Sequence, residues 1–178
     1  KQAEEEIRSQ KNRLRLIIEA ANIGTWEWNV KTGQTIFNEK WAEMAGYTLD
    51  ELAPVSIETW EALAHPDDLK RCEENIQKHI RNEVEYYRTE VRMKHKNGNY
   101  IWILDTGKII SRDEKGEPEW MFGIHLDITE RKQAEEALRE SEKKYRLLVE
   151  NQTDLIVVVD KNGKFEFVSP SYCKLFGK

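Results

Sequence analysis

Long apolar runs, a surplus of positive charge and cysteine are what this 178-residue chain has least of. No apolar run approaches the roughly 20 residues that a membrane helix needs, so this segment is expected to make no membrane contact. Its 28 Lys+Arg against 33 Asp+Glu leave a formal charge of -5, which disfavours binding to a nucleic-acid backbone. Two cysteines, Cys72 and Cys173, lie far apart and offer no disulfide framework. No cleavable leader opens the chain, and a cytoplasmic setting is expected, any membrane tether belonging to a longer parent. What is present argues against disorder: 39% of residues are hydrophobic and 10% aromatic beside the 34% that are charged. All six Trp fall between Trp26 and Trp120, which places the core in the middle stretch, between charge-rich flanks.

An internal repeat organises the chain. A shift of 131 residues lays Lys1-Gln2-Ala3-Glu4-Glu5 on Lys132-Gln133-Ala134-Glu135-Glu136 and matches Arg8 with Arg139, Arg15 with Arg146, Leu16 with Leu147 and Glu19 with Glu150. The match runs on through Trp26 over Val157 and Trp41 over Tyr172. One residue drops out near the turn, where Gly33 meets Gly163, and the shift resumes at Gly46 over Gly177. The chain therefore reads as one complete unit followed by the opening quarter of another, a section of a tandem array.

Each unit begins with a helix. Ala3, Ile7, Gln10, Leu14 and Ile17 alternate spacings of four and three, as do Ala134, Leu138, Ser141, Tyr145 and Leu148. This is a thin heptad seam, and it fits either a helix lying on its own domain or a parallel coiled-coil dimer. Strands follow at Thr25–Asn29 and Thr35–Phe37, across a turn at Lys31-Thr32-Gly33. Asn38 caps a short helix that stops at Gly46, and residues 47–64 read as irregular or short helical pieces. A longer helix follows Pro66, with Leu69, Ile76 and Ile80 as its expected buried positions. Three strands close the unit: Glu85–Lys96, alternating with Tyr87, Val91 and Met93 on one face, then Tyr100–Ile110, then Trp120–Asp127. Asn97-Gly98 and Asp113-Glu114-Lys115-Gly116 supply the turns, giving an α+β domain on one antiparallel sheet.

The order of these elements and their motifs resembles a PAS sensory domain over about residues 14–131, with a second copy starting near 145. The resemblance rests on Gly24-Thr25-Trp26-Glu27-Trp28, Trp41 to Gly46 with Tyr47 following, and His65-Pro66-Asp67-Asp68. It rests also on Asn97-Gly98 ahead of Trp102, Gly107, Gly123 and the closing Asp127-Ile128-Thr129-Glu130-Arg131. It implies a five-stranded antiparallel sheet of order 2-1-5-4-3, with helices covering one face around a small-molecule pocket. The expected organisation is a linker helix at 1–20, the PAS domain at 21–129, a linker helix and possible coiled coil at 130–150, and the truncated second copy at 151–178. Some 34 residues cannot bury an adequate core alone, so residues 145–178 are expected to be flexible or completed by other contacts.

Candidate functional residues follow. His65-Pro66-Asp67-Asp68 offers either a metal or acid/base cluster or a helix start, and proline in the first position with acids in the first turn makes the helix start the expected reading. His65, Cys72 and His79 are spaced by seven, roughly 10 Å apart along a helix, too far for one metal ion. His79 alone is a haem-ligand candidate only through the family resemblance, and nothing beside it marks a haem pocket. Light-sensing relatives carry a reactive Cys in an Asn-Cys-Arg-like motif, from which Arg71-Cys72-Glu73-Glu74 departs, so Cys72 is expected to be inert. No cofactor is required by the sequence, and neither haem nor flavin is expected. Met121, Gly123, His125 and Asp127 share one face of the last strand, and the resemblance points His125 into the pocket as a ligand donor or pH-responsive group. Its alternative is a core histidine satisfied by a backbone carbonyl. Met44, Tyr87, Met93, Ile103 and Met121 are the remaining pocket candidates. Asp127, Thr129 and Arg131 mark the junction where the last strand becomes the exit helix, and Asp127 or Thr129 is the expected cap.

No phosphate cradle or nucleophile–base spacing stands out, so this segment is read as a non-enzymatic sensory module of a signalling protein, a sensor histidine kinase or similar. The alternative is a ligand-free spacer that dimerises. The expected partners are a second copy through the linker helices, adjacent PAS and output domains of the same chain, and a small-molecule ligand.

Overall fold

The computed structural model describes residues 2–151 and 154–176. The chain divides into two compact units, Lys1–Glu130 and Arg131–Lys178. In the first, helix α1 (Gln2–Ala20) precedes strands β1 (Gly24–Asn29) and β2 (Thr35–Phe37). Four helices follow: α2 (Glu39–Met44), α3 (Leu49–Leu52), α4 (Ile57–Leu63) and α5 (Pro66–Ile80). Strands β3 (Tyr87–Lys94), β4 (Tyr100–Arg112) and β5 (Pro118–Asp127) complete the unit and lead into α6 (Thr129–Asn151). The five strands form one sheet of order β2-β1-β5-β4-β3, every pair antiparallel. This is the sheet order that the resemblance implied.

The core lies on one face of that sheet, because alternation along the three long strands puts their apolar residues there. Tyr87, Val91 and Met93 of β3, Ile103 of β4 and Met121 of β5 are all at most 1% exposed. The third strand begins at Tyr87 instead of Glu85, after a turn through Asn82, whose φ is 58°. Trp41 of α2 is fully buried and stacks on Phe37, ring centroids 3.7 Å apart. Asn38 positions it: its Oδ1 accepts from the amides of Trp41 (3.0 Å) and Thr25 (2.8 Å), and its Nδ2 donates to Ile23 O (3.0 Å). One side chain thus caps α2 and ties it to the first strand.

Helix α5 corrects the expectation for its buried positions. Leu69, Ile76 and Ile80 are half-buried, and the buried residues are Asp68, Cys72 and His79. The reason is that α5 presents a polar stripe to the sheet, at spacings of four, three and four through Asn75. Asn75 Nδ2 donates to Thr89 Oγ1 at 2.9 Å, and His79 and Asp68 also bond to strand backbone. The adjacent apolar stripe is left facing a cavity. At its N-terminus His65 caps, Nδ1 accepting from Asp67 N, with Pro66 in the first turn. Asp68 does more than favour a helix start. It accepts from Arg92 Nε (2.8 Å), Nη2 (3.0 Å) and backbone N (3.0 Å), and from Arg71 Nη2 (2.9 Å).

Burial pushes the Asp68 carboxyl up, but the Arg92 bonds and the nearby Arg71 outweigh it and bring it down to about 2 from 3.8. A carboxylate whose folded value is depressed stabilises fully above its unfolded value and loses that contribution as pH falls through the folded one. Asp68 is therefore expected to contribute about 2 kcal/mol near pH 6, lost between about pH 4 and pH 2. Urea unfolding of the wild type and Asp68→Asn across that range checks this: the gap between them should be wide at pH 6 and close near pH 2.

The second unit repeats the first in miniature, with strands β6 (Val157–Val159) and β7 (Phe165–Val168) and helix α7 (Pro170–Phe176). Its bonds are those of the first unit shifted by 131. Ser169 Oγ accepts from Ile156 N (3.1 Å) and Tyr172 N (3.3 Å) and donates to Asp154 O (3.2 Å), as Asn38 does with Thr25, Trp41 and Ile23. The residue missing from its turn is absorbed by a register shift between Val158 and Val159. The hairpin leaves Val157, Val158, Val159, Phe165 and Phe167 exposed, as a core lacking its remaining strands must. Gly177, which the repeat pairs with Gly46, lies outside the described residues.

Candidate functional site

Between the inner face of the sheet and helices α4 and α5 lies a cavity of about 530 Å³, within the range of small-molecule sites. Alternation on β1 and β2 gives it Trp26, Trp28 and Phe37, and the apolar stripe of α5 gives it Leu69, Ile76 and Ile80. Trp60 and Ile57 of α4 complete the apolar wall, and Glu61, Lys70, Glu73 and Gln77 stand on the helices at its rim. Its polar floor is a buried carboxylate. Asp105, 3% exposed, accepts from Trp26 Nε1 (2.9 Å) on Oδ1 and from the Tyr87 hydroxyl (2.9 Å) on Oδ2. His125 Nε2 stands 3.1 Å from the same Oδ1. Asp105 and His125 are direct register partners of β4 and β5.

Chemistry at the floor follows from that arrangement. A carboxylate accepts only, so this contact favours a proton on Nε2 of His125. Nδ1 is buried and has no hydrogen-bond partner among the described residues, and the same holds for Trp28 Nε1. Three indoles surround the imidazole, with ring centroids at 4.8 Å (Trp60), 5.8 Å (Trp41) and 6.4 Å (Trp26). Burial, reinforced by the Asp105 charge, pushes the Tyr87 phenol well above its ordinary value and holds it as a donor. Burial likewise pushes the Cys72 thiol up to about 11, so it stands at the cavity wall as a protonated thiol.

The structure sorts the sequence candidates. Tyr87 and His125 line the cavity. Met93, Ile103 and Met121 face the same side of the sheet but are fully buried under other core residues and do not line it. Met44 is half-buried on α2, packed against the core away from the cavity. The partner of His125 is a carboxylate, not the backbone carbonyl of its alternative reading. His79 has both ring nitrogens engaged: Ile109 N donates to Nε2 at 3.0 Å, so Nδ1 donates to Val84 O at 3.0 Å. A haem iron at His79 would have to displace one of them. Sequence reasoning missed Asp105, although a signal existed: β4 alternation puts Ile101, Ile103, Asp105 and Gly107 in one inward row, and an acid there demands partners.

Two rungs along the same strands lies the junction. Ile103 pairs with Asp127, and beyond them Ile128 N donates to Trp102 O at 2.8 Å. Asp127 Oδ1 accepts from Thr129 N, the first amide of α6, at 2.8 Å across Ile128. Thr129 does not cap; its Oγ1 accepts from Trp102 N at 2.9 Å and pins the first helical residue to β4. Arg131 pairs with Glu135 one turn on, at 3.2 Å. The first turn of α6 is thus bonded to β4 at Trp102, three residues along the strand from Asp105.

Comparison with known proteins agrees with this architecture. Residues 34–125 match a family model described as PAS fold, and residues 143–178 match one described as PAS domain. The chain is 30% identical over 92% of its length to the sensor protein FixL of Bradyrhizobium diazoefficiens. It is 31% identical over 86% of its length to the two-component sensor PprA of Pseudomonas aeruginosa. It spans only 32% and 16% of those two proteins. Among solved structures, a sensory box histidine kinase/response regulator from Burkholderia thailandensis matches with a TM-score of 0.65 at 32% identity, covering 75% of this chain and 98% of that one.

Proposed function

The chain belongs to the PAS family and is a sensory module of that family, and from this premise we propose that its cavity takes up a small molecule whose presence is passed to α6. The observation that carries the reading is the sharing of one strand pair. Asp105 and His125 form the cavity floor from β4 and β5, and the ends of those same strands hold the first turn of α6. An occupant that shifts the floor biases the β4–β5 pairing, and the junction has few bonds with which to resist, so two populations of exit geometry exchange. The module transmits; chemistry belongs to an output domain of a longer signalling protein, as in the sensor kinases that it resembles.

A cavity of about 530 Å³ argues for this over a ligand-free spacer, whose interior would be filled by side chains. Helices α1 and α6 suit a partner copy: Ile7, Leu14 and Ile17, and in α6 Leu138, Tyr145 and Leu148, are each more than half exposed. A dimer through these seams gives α6 something to rotate against. No helix among the described residues is long and apolar enough to cross a membrane.

The test fills the cavity without knowing the ligand. Ile76→Trp adds an indole at a lining position on α5, and amide hydrogen exchange reads the result. Exchange at Trp102, Ile128 and Thr129 is expected to change about tenfold or more while that of α2 stays as in the wild type. A change confined to the cavity wall overturns the reading.

A further inference from the structure

The ionisable lining of the cavity leans one way. Asp105 at the floor and Glu61 and Glu73 at the rim are acids, and the lining base among the described residues, besides His125, is Lys70. Acids therefore outnumber bases whether the His125 imidazole is neutral or charged. The Cys72 thiol and the Tyr87 phenol, both pushed up by burial, add no charge. Glu61, Lys70 and Glu73 are exposed and screened by solvent, whereas Asp105 is buried, so its charge is the one that an occupant meets at low dielectric. That carboxylate is not saturated. Oδ1 takes the Trp26 indole and faces His125 Nε2, but Oδ2 takes the Tyr87 hydroxyl alone, which leaves it a lone pair.

Above the floor the wall is aromatic. Trp26, Trp28, Phe37, Trp60 and Tyr87 all line the cavity, and the face of an aromatic ring attracts a cation through its quadrupole. Rings around a buried carboxylate suit a cation whose charge is spread over carbon. A primary ammonium brings three N–H donors that each need an acceptor, and most of this wall is carbon. Alkyl groups replace those donors with apolar surface, which the rings and Leu69, Ile76 and Ile80 can cover. An anion would meet the Asp105 charge, and a neutral molecule gains nothing from it.

Resting on the ligand reading above, we propose that the occupant is an alkylated ammonium ion, held among the rings of Trp26, Trp28 and Trp60 with its charge toward Asp105 Oδ2. Glu61 and Glu73 at the mouth raise its local concentration.

The experiment titrates the 178-residue chain with three probes of one shape: choline, its neutral carbon isostere 3,3-dimethylbutan-1-ol, and the anion 3,3-dimethylbutanoate. Amide and indole N–H spectra locate binding and give the affinities. Choline is expected to bind with shifts at the Trp28 indole N–H and the His125 amide. The alcohol should bind about tenfold weaker, equivalent to about 1.4 kcal/mol, and the anion weaker again. Asp105→Asn removes the charge at nearly constant volume and should bring choline level with the alcohol. Trp60→Leu keeps an apolar wall but removes a ring, and should cost choline several-fold more than it costs the alcohol. An alcohol that binds the wild type as tightly as choline overturns the cationic class and leaves the cavity reading standing, and tighter binding of the anion does the same. Binding of none of the three overturns this inference, and the cavity reading is then decided by the exchange of Ile76→Trp.

Discussion

Asp105→Ala is expected to destabilise the first unit by about 3–5 kcal/mol, a large share of the roughly 5–15 kcal/mol that holds a domain folded. Its carboxylate accepts from Trp26 on β1 and Tyr87 on β3 and stands 3.1 Å from His125 Nε2 on β5. Truncation strands all three in a site that is 3% exposed, and a buried donor without a partner costs about 1–3 kcal/mol. Water entering through the adjoining cavity recovers part of this, so the sum stays below three full penalties. Tyr87→Phe, which removes one donor and leaves the acceptor served by two others, should cost only about 1 kcal/mol. Urea unfolding followed by tryptophan fluorescence measures both. A cost for Asp105→Ala no greater than that of Tyr87→Phe would show that the three contacts do not act as a network.

Gly123→Ala should be comparably severe for a different reason. A Cβ at Gly123 would lie 2.4 Å from Thr106 O and 2.2 Å from Trp26 Cζ2. The first is backbone of a central strand and the second a ring pinned by its bond to Asp105, so neither yields cheaply. Gly107 stands directly opposite Gly123, and its Cβ would meet Trp26 Cη2 at 2.5 Å. The two glycines form the floor on which the Trp26 indole lies. Overpacking of this kind costs about 3 kcal/mol or more where the backbone cannot relax. Gly116→Ala is the control: its φ of +81° strains any side chain, but nothing lies within 4 Å, so about 1–2 kcal/mol is expected. Thermal unfolding of the two variants should rank Gly123→Ala well below Gly116→Ala, and equal midpoints would contradict the packing argument.

The parts of this molecule legible in the sequence are those that local rules write. Period-two alternation located Tyr87, Val91 and Met93 on the inner face, Asn38 announced its helix, and Gly98 and Gly116 marked turns that do take positive φ. Alternation grouped His125 with Met121 and Gly123 on one face, and the family resemblance pointed that face inward. What alternation cannot say is which inward residues meet a void. Met93, Ile103 and Met121 face the same way as Asp105, yet they are fully buried and do not line the cavity, and that depends on helix placement far along the chain. The buried stripe of α5 misled for a related reason. Asp68, Asn75 and His79 look like solvent residues until the sheet supplies Arg92, Thr89 and Ile109 as partners. The floor network joins residues up to 79 apart in sequence, beyond any local signal except the oddity of an acid in an apolar row.

The central claim is that cavity floor and exit helix are two ends of one strand pair. Asp105→Asn tests it most directly, because it removes the charge and alters the floor bonds at nearly constant volume. Residue-resolved amide exchange in the 178-residue chain is the measurement. The account predicts that Ile128, bonded to Trp102 O, and Trp102, bonded to Thr129 Oγ1, lose protection by about tenfold more than the β1–β2 amides, which are equally part of the sheet. Loss spread evenly over the sheet, or stopping at the neighbours of Asp105, would contradict it.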